Sequence, residues 1–241
     1  MSGVEQQLVG LDDVTRVFLS FPEVLDAERH RDYNHWHQFD HLPQNLALPG
    51  VRHGQRWVRT PACRSASTGP GADADPRAVE MNASQYVAMY WFADPARESV
   101  ADWLRLGSLT DEIGRRPETG WTRRRFTGFA APVASAGADG VLVTAGAVPY
   151  LPHAGVVVDV VPEPVDGPEA ARAAVADLAR VAGVLGAYAL SGLGEAAGLQ
   201  VRVAWCAEDP VDVVGRWPEG GTFLRTPLAV VVPGEWGWFD R

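Results

Sequence analysis

One order of strand and helix signals is written twice along the 241 residues, and this repetition restricts the possible folds more than any other feature. In the first half, residues 14–21 are rich in β-formers and read as a strand. Residues 27–47 carry Tyr33, Trp36, Phe39, Leu42 and Leu46 at spacings of three and four, the stripe of an amphipathic helix. Leu48-Pro49-Gly50 stops that helix, and residues 51–58 follow as a second strand. Residues 61–83, rich in Gly, Pro, Ser and Ala, read as a long flexible loop, either a lid or a disordered segment. A third strand is expected over 84–95, a helix over 95–114 with Val100, Trp103, Leu104 and Ile113 as its apolar positions, and a fourth strand over 121–133.

The second half echoes the first in the same order: residues 156–164 resemble 17–23, residues 181–190 resemble 48–57, and residues 203–210 resemble 89–95. Residues 222–232 take the place of the fourth strand. The β-α-β-β-α-β order is the ferredoxin-like motif. Its antiparallel sheet carries helices on one face, so the other, apolar face must be buried elsewhere. Two such units in one chain can bury these faces together. The expected fold class is therefore α+β, with two ferredoxin-like repeats, 1–136 and 137–241, forming an intramolecular α+β barrel.

The halves differ in polarity. Five of the six histidines lie between His30 and His53. Aligning Pro49-Gly50-Val51 with Ala182-Gly183-Val184 sets His37, Asp40 and His41 against Ala170, Ala173 and Ala174. Chemistry is thus expected in the first repeat, with the second as its structural partner. His37 and His41 are four residues apart and share a helix face, on the border of the aromatic stripe, with Asp40 beside them.

Three readings stay open for that cluster. As a metal site it lacks an evident third ligand, for which His53 and Glu80 are the nearest candidates. As an acid–base site, His41 would move a proton, tuned by Asp40 or His37, with Tyr90 or Arg56 holding a substrate oxygen. As an ordinary solvated helix border it would do nothing. Strand alternation places Arg52 and Arg56 on one face of 51–58 and His53 and Trp57 on the other. Tyr86, Tyr90 and Phe92 share a face of the third strand, opposite Met89 and Trp91. Trp36, Arg56, His53, Trp57, Tyr86 and Trp91 are the candidate substrate-binding residues; an aromatic stripe of this kind forms either packed core or walls for a flat ligand. Arg115, Arg116 and Arg123 to Arg125 form a basic patch that could hold a carboxylate or phenolate.

Composition narrows the chemistry. All 21 basic residues are arginine, which removes Schiff-base catalysis, pyridoxal-phosphate anchoring and a P-loop, since each needs a lysine amine. A net charge of −9 disfavours nucleic acid as a partner. Cys63 and Cys206 form no CxxC pair and read as reduced thiols. No signal peptide and no apolar run long enough for a membrane span are visible. A cytoplasmic monomer or homodimer that handles a small molecule is expected.

The residues Trp36, Asp40-His41-Leu42-Pro43, Leu46-Ala47-Leu48-Pro49-Gly50-Val51 and Gly54-Gln55-Arg56-Trp57 resemble the EthD-like branch of the dimeric α+β-barrel superfamily. The strand 86–95 fits the same pattern, and the resemblance covers most of 14–133 and, more faintly, 140–235. It implies a barrel of two ferredoxin-like sheets, with a ligand pocket between a sheet and its own helices. Relatives include polyketide cyclases, dehydratases, lactone isomerases and cofactor-independent monooxygenases. His41 stands at the position of the motif histidine, and Asp40 stands where the family usually has Glu. The expected function is therefore tailoring of an aromatic, polyketide-like or phenolic molecule by His-centred acid–base chemistry. A monooxygenase, cofactor-independent or flavin-assisted, and a non-catalytic binding protein are the alternatives. No cofactor is expected, while flavin, haem or a divalent metal stay open.

Overall fold

The computed structural model describes residues 10–71, 75–116, 119–163, 167–218 and 220–239. The first unit runs β1 (Val14–Val24), α1 (His30–Trp36), a π-helical turn (His37–His41), α2 (Leu42–Leu46), β2 (Val51–Val58), α3 (Pro61–Ser65), α4 (Pro76–Ala83), β3 (Tyr86–Ala93), α5 (Ala96–Glu112) and β4 (Thr122–Gly137). The second runs β5 (Gly155–Pro162), α6 (Gly167–Ala179), β6 (Val184–Leu193), β7 (Leu199–Cys206), α7 (Pro210–Val214) and β8 (Leu224–Val230). Among the described residues, no helix is long and apolar enough to cross a membrane.

The eight strands close into one antiparallel barrel in the order β1-β3-β2-β8-β5-β7-β6-β4. Closure leaves no open sheet edge, which is the usual liability of a four-stranded sheet. Each unit supplies four neighbouring strands, and its last strand pairs with the second strand of the other. The two seams are unequal. β4 pairs with β6 from Phe129↔Leu193 to Gly137↔Gly186. β2 meets β8 only at Trp57↔Val230 and Val58↔Ala229.

Alternation along the strands sorts the side chains into two layers. Inward residues fill the barrel: Trp91, Trp205 and Tyr188 pack with ring centroids 5.2–6.1 Å apart, among Met89, Val158, Val160 and Val203. This corrects the expectation for Trp57 and Trp91 as ligand walls. Both are fully buried in the barrel core, and the Trp57 indole N–H donates to His153 Nε2 at 3.3 Å. Outward residues of β3, Tyr86, Tyr90 and Phe92, face the helices.

The segment read as a loop over 61–83 holds α3 and α4, and its residues 72–74 lie outside the described residues. The signal was local. Thr60-Pro61 and Asp75-Pro76 each pair a capping side chain with proline at the first helical position. Ala78 and Met81 of α4 are buried in the barrel core cluster. A second correction concerns Arg52. β2 is irregular between Val51 and His53, so Arg52 leaves the face of Arg56 and pairs with Asp13 at 2.6 Å.

Candidate active site

A cavity of about 460 Å³ lies between the first sheet and its helices. Its floor is β1 and β3 and its walls are the first helix and α5. The start of β4 and the end of α5 form its mouth.

The first helix presents its polar residues through the π turn. Pro43 has no N–H to donate to the Phe39 carbonyl, and its ring crowds that carbonyl. The ladder widens just before it: the Leu42 N–H reaches the His37 carbonyl, five residues back. Residues five apart then share a face. The Trp36 and His41 rings stack at 4.7 Å with 23° between their planes. His37 meets His41 edge-on at 5.2 Å, and His41 meets Tyr90 edge-on at 6.3 Å. Asn45, 2% exposed, donates to the His41 carbonyl at 2.7 Å and toward the Tyr90 hydroxyl at 3.4 Å. Gly54 of β2 makes room for Tyr90, since a Cβ there would lie 2.6 Å from the ring.

Both imidazoles are held neutral. Burial first, then the charges of Arg116, Arg124 and Arg56, push His41 down to about 3, with Asp40 pulling weakly the other way. Burial, Arg56 and His41 push His37 down as well. Tyr90 is pushed up by burial, so it keeps its proton and remains a donor.

Beneath this wall lies a charged layer. Arg56, 2% exposed, sits between the Tyr33 and Tyr86 rings at 4.9 and 4.8 Å and donates to Asn34 Oδ1. Its Nε and Nη1 have no hydrogen-bond partner, and no carboxylate pairs with it among the described residues. Asn34 also donates to the Tyr86 hydroxyl at 2.9 Å, and that hydroxyl contacts His30 Nδ1 at 2.9 Å. Burial pushes Tyr86 up to about 12.

Four expected residues, His37, His41, Tyr90 and Trp36, meet at the cavity. Arg56 and Tyr86 stand behind its wall. Asp40 does not face the imidazole: its carboxylate turns out to Arg115 at 2.8 Å. His53 lies elsewhere, in a separate hollow at the short β2–β8 seam that His153 also lines, with its ring 5.1 Å from Tyr150. Neither expected third metal ligand approaches His37 and His41, because Glu80 pairs with Arg125 at 3.2 Å. No cluster of three His, Cys, Asp or Glu side chains suited to a metal occurs among the described residues. Sequence reasoning missed Phe18, Tyr33, Asn34, Asn45 and the cavity role of Trp103, whose ring packs 4.7 Å from Phe18 and 5.8 Å from Tyr90. Buried asparagines carry no periodic signal, and Trp103 reads as one more core position.

No family model matches the sequence, and no curated protein matches it. Solved structures do resemble the fold. A provisionally named monooxygenase of Fusobacterium nucleatum is 8% identical, with 90% of this chain and 93% of that one aligned at a TM-score of 0.52. An anthrone oxidase-like protein is 11% identical over 92% and 94% of the two chains, with a TM-score of 0.48. At 8% identity the likeness to the Fusobacterium nucleatum protein is one of fold, and both chains form an α+β barrel.

Proposed function

We propose that the chain is a small-molecule tailoring enzyme that binds a phenolic or enolisable, polyketide-like aromatic in the first-unit cavity, where His41 moves a proton. The observation that carries this reading is Arg56, a buried cation with no carboxylate among the described residues, set behind the Tyr33 wall of a cavity that two neutral imidazoles also line. An unpaired buried charge is costly. An anion formed above it recovers part of that cost.

On its own His41, pushed down to about 3, is a weak base; in this scheme the anion formed beside it offsets the arginine charges that disfavour its imidazolium. Neutral His41 accepts the proton of a phenol or an activated C–H, leaving imidazolium and an enolate or phenolate. The anion lies in the field of Arg56, Arg116 and Arg124, and the Tyr90 O–H is placed to donate to its oxygen. Returning the proton to a different carbon isomerises, and returning it to a departing hydroxyl dehydrates. If the enolate carbon attacks a carbonyl of the same molecule, a C–C bond forms, the carbonyl π bond opens to an alkoxide, and that oxygen takes the proton from His41 as the ring closes. Trp36, Trp103 and Phe18 supply flat apolar walls. Asp40 takes no direct part in this scheme. Within it, the first unit (1–136) carries the chemistry and the second (137–241) supports the barrel. The EthD-like placement rests on the Asp40-His41-Leu42-Pro43 step and the Leu48-Pro49-Gly50 turn.

Oxygenation is the second reading, favoured by the same anion-stabilising charge and in keeping with the name of the Fusobacterium nucleatum protein. A carbanion so held can reduce dioxygen: a methylene becomes a carbonyl and one water leaves.

Anthrone, an enolisable three-ring ketone, tests both. In heavy water without oxygen, the enzyme should speed deuterium exchange at its methylene. With oxygen, uptake matched by anthraquinone would select the second reading. His41→Ala should slow either by about 10²–10⁴-fold with the melting curve retained. Equal rates in wild type and variant would remove His41 from the mechanism, and binding without any exchange would make the protein a carrier.

A further inference from the structure

We propose that the substrate carries a second acidic group, a carboxylate, held at the cavity mouth by Arg123 and Arg124. This rests on the reading of the cavity as a site for an aromatic anion, and extends it from one recognised oxygen to two.

The cavity is cationic at two levels. Arg56 stands behind the wall, against the Tyr33 ring at 4.9 Å. At the mouth, Arg116, Arg123 and Arg124 all line the opening. Arg116 is occupied by Asp111 at 2.8 Å. The nearby carboxylate of Glu23 is occupied by Arg125 at 2.7 Å. Arg123 and Arg124 are paired with no carboxylate among the described residues. The backbone brings both to one place. In a regular strand, consecutive residues point to opposite faces. The ladder between β1 and β4 has its extra residue at Arg125, next to Arg124, and at this start of the strand Arg123 and Arg124 both line the cavity.

This local charge opposes that of the chain, whose net charge is −9. Solubility needs no such rim. Between the two levels the walls are Phe18, Trp36 and Trp103. The arrangement suits a hydroxyaryl carboxylic acid: hydroxyl inward toward His41 and Tyr90, rings between the indoles, carboxylate outward on guanidinium groups whose planar forks match it.

The test uses two probes of one ring system, 6-hydroxy-2-naphthoate and 2-naphthol, with tryptophan fluorescence and calorimetry as readouts. The acid should bind about tenfold more tightly than the naphthol at low salt, the worth of one charge-assisted contact. That ratio should fall toward one in an Arg123→Gln/Arg124→Gln double variant, and fall with added salt in the wild type. Equal affinities in the wild type, or a ratio that survives the double substitution or high salt, would overturn the carboxylate site and leave the cavity reading standing. If neither probe binds, both are overturned. If the double variant does not fold, the ratio is read in the single variants and the wild-type salt series, where its persistence overturns the site in the same way.

Discussion

The helix-covered faces of the two sheets are built on one topology and filled in opposite ways. On the first, the π turn and the 17-residue α5 stand over a cavity, and the buried cation Arg56 has no carboxylate among the described residues. On the second, Ala171, Val175 and Leu178 of α6 pack directly on Val157, Ala187, Ala189 and Ala204. α7 is only Pro210–Val214, and Trp217 closes the face. The second unit also buries charge, but closes it: Asp159, 1% exposed, accepts from Arg225 at 3.1 Å and Thr222 at 2.7 Å, with Arg202 at 3.9 Å. A fold of this kind stores charge safely when the partners lie within the chain. In the proposed function a ligand anion takes the place of the carboxylate that Arg56 lacks among the described residues.

Substitutions at the two buried charges should separate these cases most strongly. Asp159→Leu strands Arg225 and Arg202 and should cost about 3 kcal/mol in urea unfolding, the low end for a broken buried pair because the arginines retain some solvent. Arg56→Leu should stay within roughly 1 kcal/mol of wild type, since the cation it removes had no carboxylate to lose. Its affinity for 2-naphthol near the ionisation range of the phenol should fall about tenfold. Equal destabilisation by both would erase the contrast.

Acid should find the first unit before the second. His41 falls to about 3 in the folded chain from an ordinary 6.5, so as pH drops below 6.5 the unfolded chain takes up the proton first. His37 acts in the same direction. Stability contributed by the neutral imidazoles is complete above about pH 6.5 and is lost as pH falls toward the folded value. Urea melts between neutral and mildly acidic pH should show this slope, and His41→Gln should flatten it. An unchanged slope would place the acid sensitivity elsewhere, with His53 the next candidate because its value is pushed down to about 4.

The smallest effect is expected at Gly107, in α5 on the cavity wall, where a Cβ would meet nothing within 4 Å. Gly107→Leu should leave stability unchanged or raise it by up to about 1 kcal/mol through helix propensity. The same side chain narrows the cavity and should weaken naphthol binding. Unaltered binding would mean the ligand lies deeper than α5.

Much of the architecture could be read from residue order. The strands at Val51–Val58 and Tyr86–Ala93 stand where β-formers and turn residues placed them, and the parity of Tyr86, Tyr90 and Phe92 against Met89 and Trp91 follows from alternation alone. The histidine helix was equally legible. Its π turn was not foreseen, although Pro43 in mid-helix marked the place. Arg52 and Asp40 went astray for a shared reason. Each sits where a regular period predicts one face, and each found an oppositely charged partner, Asp13 or Arg115, that the period does not contain.

Residue order by itself determined the two β-α-β-β-α-β units, the facing of their strands and the placing of five of the six histidines in the first, because periodicity and turn chemistry act between neighbours. Only the tertiary structure decided the state of His41. Its neutrality is a sum over burial and the charges of Arg56, Arg116 and Arg124, which reach it from β2, the segment after α5 and β4. Coulombic and desolvation energies depend on distance through the closed barrel, and separation along the chain does not report that distance.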